Sequence, residues 1–190
     1  SLAASAGSDK TIIVWTVASG RKIHTLGPHK ARVTHLALSP DGGRLVVACG
    51  AVEDDYETAE GEIVEWDVVQ GVRLRQLVSG AYCRFAEYSP DGRFLVTAVR
   101  KPGAEAGTHR FTVSVYESES LREVRAFSDE ESHEVGAFSP DCRCYFDGGV
   151  LWDLQTGAKL AVARSTVDGM RHLAFVPNGS KIVIGGYDSL

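Results

Sequence analysis

Cysteine and histidine are the residue types in this chain best suited to hold a metal ion or to carry redox chemistry. The 190-residue sequence contains four cysteines and six histidines. No two cysteines form a Cys-x-x-Cys pair, so the zinc-finger pattern of a cysteine pair followed by a histidine pair is absent. Cys142 and Cys144 are two residues apart and would share one face of a strand. A metal or redox pair there stays open, but packing of two small apolar side chains is favoured.

The remaining chemistry-bearing residues do not form a recognisable catalytic pattern. His35 and His172 lie at the same place before a proline-containing turn, which favours a packing role over a metal pair. The sequence lacks a P-loop, a dinucleotide-binding glycine pattern, an HExxH zinc motif and a GxSxG nucleophile elbow. We therefore predict no catalytic residue, no cofactor and no metal site within this chain, and we expect no enzyme activity from it.

Acidic residues are concentrated in two segments. The first cluster is Glu53, Asp54, Asp55, Glu57 and Glu60, and the second is Asp129, Glu130, Glu131 and Glu134. Carboxylates can bind Ca²⁺, but the EF-hand pattern is absent and loose acidic loops seldom supply six converging oxygens. A solvated surface that keeps the protein in solution is the simpler interpretation.

Composition excludes some classes of partner. The formal net charge is -5, which argues against a duplex nucleic-acid binder, because such proteins carry a basic face. The longest apolar stretch, Leu45 to Val52, is too short to span a bilayer, and we expect no membrane partner. Cysteine usage does not fix the compartment, although a cytoplasmic location is favoured. The chain begins at Ser1 and its single methionine is Met170, so we expect that the native protein starts earlier.

A turn motif recurs along the chain and predicts hairpins. Its proline presets φ, its Asp or Asn bonds back to the backbone, and its glycine accepts positive φ. Each copy lies between two apolar runs, as expected for two strands joined by a turn. The four copies are Ala37–Gly42, Glu87–Gly92, Ala137–Cys142 and the weaker Ala174–Gly179.

An aromatic motif alternates with these turns. It ends an apolar run, and in three copies a glycine-containing turn and a further short strand follow it. The four copies are Thr11–Trp15, Glu62–Asp67, Phe111–Tyr116 and Gly149–Asp153. Runs such as Leu45–Ala48 and Phe94–Val99 are apolar at every position, which predicts strands buried on both faces.

These motifs resemble WD40 repeats, whose unit is about 40 residues and four strands. Trp66-Asp67 and Trp152-Asp153 match the Trp-Asp dipeptide, whereas Trp15-Thr16 and Tyr116-Glu117 keep only part of it. The resemblance implies an all-β propeller of four-stranded antiparallel blades.

The motif spacing predicts an incomplete ring of about four blades. The expected divisions are a partial blade 1–27, blades near 28–77, 78–127 and 128–163, and a partial blade 164–190. Strands are predicted near 2–6, 11–16, 21–26, 33–38, 44–49, 62–67, 72–77, 82–88, 94–99, 111–117, 121–127, 170–176 and 181–186. Such a fragment of a larger propeller would have open edge strands, which allow self-association.

The resemblance also implies a hydrogen-bonded His–Ser/Thr–Asp–Trp set within a blade. Ser5, Asp9 and Trp15 match three of its members, and His29 lies in the right kind of loop. We expect no complete set, and a complete one would be structural.

Length variation between the motifs falls in one type of turn. Two copies carry insertions at 50–61 and 100–110, whereas the third has only Asp147-Gly148-Gly149, which predicts a tight hairpin. Insertions of this kind are either tolerated drift or functional loops. In WD40 propellers these turns and the 128–134 loop share one face.

We therefore predict a protein–protein interaction scaffold whose partner contacts this face, with basic partner segments favoured. The alternative is the propeller portion of a larger enzyme, such as a hydrolase, peptidase or kinase fusion. The predicted partner-binding residues are Glu53, Asp54, Asp55, Tyr56, Glu57, Arg100, Lys101, His109, Arg110, Asp129, Glu130 and Glu131.

Overall fold

The computed structural model describes residues 1–50, 61–102, 109–127, 136–162 and 170–186. All regular structure in these ranges is β-strand, and the strands pair with their sequence neighbours in antiparallel sheets. The predicted all-β fold with four-stranded antiparallel units is confirmed. Within the same ranges no helix has the length and apolar character needed to cross a membrane.

The strands form five sheets in chain order. Sheet 1 contains β1 (Leu2–Ala6), β2 (Ile12–Thr16) and β3 (Arg21–Leu26). Sheet 2 contains β4 (Val33–Leu38), β5 (Arg44–Cys49), β6 (Glu62–Asp67) and β7 (Val72–Ser79). Sheet 3 contains β8 (Cys83–Tyr88), β9 (Phe94–Pro102), β10 (His109–Glu117) and β11 (Glu123–Phe127). Sheet 4 contains β12 (Ala137–Phe138), β13 (Cys144–Phe146), β14 (Val150–Asp153) and β15 (Lys159–Val162). Sheet 5 contains β16 (Met170–Phe175) and β17 (Ile182–Gly186).

The strand bounds follow the sequence prediction closely except in one hairpin. The segment 100–110 was expected to be a loop, but β9 continues to Pro102 and β10 begins at His109. Lys101 pairs with Arg110, so this part of the prediction is wrong. Continued pairing satisfies backbone N–H and C=O groups, and proline is tolerated at a strand end because it has no N–H to donate.

The repeated proline turn keeps its geometry even where its glycine is replaced. Gly42 has φ of 73°, and Cys142 at the equivalent position has φ of 56°. Positive φ suits glycine and is unfavourable for a residue with a Cβ. Cys142 therefore lies in the turn and not on the strand that begins at Cys144, so the two residues do not share a strand face. Both thiols are free.

Sheets 1 to 4 pack against one another in succession through apolar side chains. One core lies between sheets 1 and 2, a second between sheets 2 and 3, and a third between sheets 3 and 4. Strand β5 serves two of them, because Leu45 and Val47 face sheet 1 whereas Val46 and Ala48 face sheet 3. All four are fully buried, as the unbroken apolar run predicted.

A buried charged network joins sheet 2 to sheet 3. Arg75 donates to the carboxylate of Glu65 at 2.5 Å and to the backbone carbonyls of Ser118 and Glu119. The Tyr88 hydroxyl donates to the same carboxylate. Glu65 has no solvent exposure, so its charge depends on these partners.

The tight hairpin predicted at Asp147-Gly148-Gly149 is present between β13 and β14. Gly148 has φ of 94°, and the backbone N–H of Asp147 donates to the carbonyl of Val150. The Asp147 carboxylate accepts from the backbone N–H groups of Gly149 and Val150, and from the indole N–H of Trp152 at 2.8 Å. One buried carboxylate thus fixes both the turn and the aromatic residue of the motif.

We predict that Asp147→Ala lowers the free energy of unfolding by about 2–3 kcal/mol, because buried donors lose their acceptor. Asp153→Ala, at the half-buried end of β14, removes a carboxylate that accepts from the Thr156 N–H near the surface; it is the matched control and should cause a clearly smaller loss. Urea unfolding followed by tryptophan fluorescence measures both changes. Equal losses in the two variants would contradict the assigned role of Asp147.

Candidate partner-binding site

The structure gives a partial view of the residues predicted to bind a partner. Eight of the predicted residues lie outside the described ranges: Glu53, Asp54, Asp55, Tyr56, Glu57, Asp129, Glu130 and Glu131. Arg100 is half-buried on β9. The backbones of Lys101 and Arg110 pair across the β9–β10 hairpin, and His109 pairs with Pro102, so these residues occupy one hairpin stem. Their role in binding stays a prediction.

A cavity lies where the first strands of four sheets converge. Strands β4, β8, β12 and β16 contribute its wall, together with the proline turns at Pro90 and Pro140. The cavity volume is about 910 Å³, which lies at the upper end of the range typical of small-molecule sites. Residues distant in sequence meet here because sheets 2 to 5 each contribute their first strand to the wall.

Glu87 is the acidic group on the cavity wall. Within the described ranges its carboxylate has no hydrogen-bond or ion-pair partner. Burial raises the pKa of Glu87 to about 7, because desolvation disfavours the charged carboxylate. The Tyr145 phenol is fully buried and its hydroxyl also has no partner among the described residues. Burial, with the Glu87 charge, raises the pKa of Tyr145 well above its usual value.

Basic and aromatic side chains also line the cavity wall. His35 Nδ1 lies 3.0 Å from the carbonyl oxygen of Ala86, and its ring lies edge-on to Phe85. Burial lowers the pKa of His35, which keeps the imidazole neutral at pH 7. Arg84 and the exposed His172 also line the cavity. The predicted packing role fits His35, whereas His172 faces open space in the cavity.

Two further polar groupings lie near the loops that join successive sheets. In sheet 1 the indole N–H of Trp15 donates to the Ser5 hydroxyl at 2.8 Å, as the resemblance implied. In the loop between sheets 1 and 2, the buried His29 lies 3.5 Å from the Glu62 carboxylate of β6 and edge-on to Trp66. Glu62 was not among the residues predicted from the sequence.

Sequence comparison identifies one of the repeats directly. The family model described as WD40 (WD domain, G-beta repeat) matches residues 20–55, a range that includes β3, β4 and β5. No curated protein matches the chain. The matched repeat carries the proline turn Ala37–Gly42, and the same turn recurs in the sheets that follow.

We predict that the raised pKa of Glu87 makes the fold less stable as pH rises. The unfolded chain loses this proton near pH 4.3 and the folded chain near pH 7, so the unfolding free energy falls across that window. Glu87→Gln should reduce this fall between about pH 5 and about pH 7.5 in urea unfolding. Glu123→Gln, an exposed change on β11, should leave the fall unchanged. A fall of the same size in Glu87→Gln and the unaltered chain would contradict the prediction.

Proposed function

We propose that this chain, which belongs to the WD40-repeat family, is a non-catalytic scaffold that binds a basic segment of another protein. WD40 propellers are generally interaction platforms, and stacked antiparallel sheets give a rigid support for loops and cavities. The continuous apolar cores between successive sheets support this rigidity.

The observation that carries the proposal is the Glu87 carboxylate on the cavity wall, which has no partner within the described residues. The buried carboxylates among the described residues are held by donors, as Arg75 and Tyr88 hold Glu65, whereas the half-buried Glu87 is not. A carboxylate that accepts no hydrogen bond from the described residues can form its strongest interaction with an incoming cation.

The cavity wall also offers aromatic surface to a cationic side chain. Phe85, Phe138 and Phe175 line it, and a Lys or Arg side chain lying on an aromatic face gains cation–π attraction. Arg84 on the same wall would oppose a second positive charge nearby, which limits the cavity to one cationic group. The acidic residues predicted at 53–57 and 129–131 would attract a basic segment by their charge and raise its association rate.

We predict that Glu87 selects basic peptides. In a peptide array followed by fluorescence anisotropy, peptides with a central Lys or Arg should bind, and the same peptides with Gln at that position should bind at least about tenfold more weakly. Glu87→Gln should remove this difference, and Glu123→Gln should keep it. Equal binding of the Lys and Gln peptides by the unaltered chain, or a preference for Lys that persists in Glu87→Gln, would overturn the proposal.

The insertion at 50–61 provides a separate test of the predicted partner-binding loops. Replacing residues 51–60 by an Asp-Gly pair should preserve the fold, because β13 and β14 are joined by such a hairpin. Circular dichroism should remain unchanged, whereas the association rate for a basic peptide and its dependence on salt should both fall. If the association rate and its salt dependence both stay unchanged, the insertion is tolerated drift and contributes nothing to peptide binding.

A further inference from the structure

Three potential metal ligands of different chemistry converge beside the loop that follows sheet 1. His29, Cys49 and Glu62 each place one ligand atom within 4.8 Å of the other two. All three residues are buried, and Cys49 is a free thiol. Cys49 ends β5 and Glu62 begins β6, where their Cα atoms face each other across the sheet. The cluster thus lies at the stem of the 51–60 segment.

Among the described residues, no hydrogen-bond partner accounts for the burial of His29. The residue is 4% exposed, and neither ring nitrogen has a hydrogen-bond partner among the described residues. Its Nδ1 lies 3.5 Å from Glu62 Oε1, too far for a well-formed hydrogen bond. Buried polar groups in native proteins nearly always have a partner, so an imidazole in this state points to a missing ligand.

Glu62 is already oriented by groups outside the cluster. The backbone N–H of Lys30 donates to Oε1 at 3.2 Å, and Arg73 donates to Oε2 at 2.9 Å. Such outer contacts are the means by which metal sites hold a coordinating carboxylate in place. These contacts also favour the ionised carboxylate. Metal ligation requires this deprotonated form.

We propose that His29, Cys49 and Glu62 bind a zinc ion. An imidazole nitrogen, a thiolate and a carboxylate oxygen are a donor set that zinc accepts in tetrahedral coordination, with a water molecule in the fourth position. Closing the ligand atoms around zinc requires them to approach by roughly an ångström, because zinc–ligand bonds are about 2.0–2.3 Å long. Such an ion would fasten the two ends of the 51–60 segment together.

Two of the three ligands are anionic when bound to zinc, and Arg73 adds one positive charge beside Glu62. Imidazole binds as the neutral base through a nitrogen lone pair, and the Glu62 carboxylate is already ionised. The Cys49 thiol releases its proton to solvent as its sulfur binds the metal. One thiolate and one carboxylate then offset the two positive charges of the ion, and no oxidant or reductant is needed.

The test uses Co²⁺ as a spectroscopic substitute for zinc on the unaltered chain. We expect one Co²⁺ per chain, visible d–d bands of tetrahedral intensity and a thiolate-to-cobalt charge-transfer band in the near ultraviolet, all abolished by one equivalent of Zn²⁺. A spectrum of octahedral, oxygen-only coordination, or no binding, would overturn the proposal. This measurement requires no substitution, so it does not depend on a variant that folds.

Variants then assign the ligands. Cys49→Ala should remove the charge-transfer band and weaken zinc affinity by more than about tenfold in a competition assay with a chromogenic chelator. Cys144→Ala, which removes a half-buried free thiol outside the cluster, should leave both unchanged. Glu62→Gln should weaken affinity while the charge-transfer band persists at saturating Co²⁺. Retention of the band in Cys49→Ala, or its loss in Cys144→Ala, would place the sulfur ligand elsewhere and overturn the assignment.

Discussion

The structure depends on the need to cover both faces of every central strand. Residues alternate between the two faces of a strand, so a strand that is apolar at every position exposes hydrophobic surface on one side unless two neighbours pack against it. Strand β5 meets this requirement because Leu45 and Val47 contact the preceding sheet, and Val46 and Ala48 contact the following one. A sheet with this pattern is stable only within a stack.

Stacking of this kind determines where the polar chemistry lies. Sheets 2 to 5 each begin with a strand that lines the common cavity, and the last strands of the sheets, such as β15, are largely exposed. Polar side chains on the first strands therefore meet in one place although they are far apart in the sequence. Glu87 on β8 and His172 on β16 line the same cavity for this reason.

Local features were predictable from the sequence, and contacts between sheets were not. The Asp147 hairpin follows from the turn chemistry of Asp and Gly, and the burial of β5 follows from its unbroken apolar run. The Glu65–Arg75 pair lies across neighbouring strands, but its anchorage at Ser118 requires sheet 3 to be in position. The extended β9–β10 pairing was missed because Pro102 and the residues beside it have the composition of a loop.

Three glutamates, two on β6 and one on β8, show how the same side chain acquires different roles from its surroundings. Glu65 is held by Arg75 and Tyr88, so its charge is neutralised within the protein and it serves to join two sheets. Burial alone would raise the pKa of Glu62, but the Lys30 N–H and Arg73 outweigh it and lower that pKa, so the carboxylate stays ionised beside an imidazole that lacks a partner.

Glu87 has burial without compensating donors within the described residues, and its pKa rises accordingly. A carboxylate in this state is costly to ionise in the isolated protein, and an incoming cation relieves that cost. Binding energy at such a site therefore comes largely from relief of the desolvation cost of the ionised Glu87 carboxylate. The site should favour a partner whose positive charge is itself shielded from water on binding, such as a Lys or Arg side chain inserted into the cavity, over one that stays solvated at the rim.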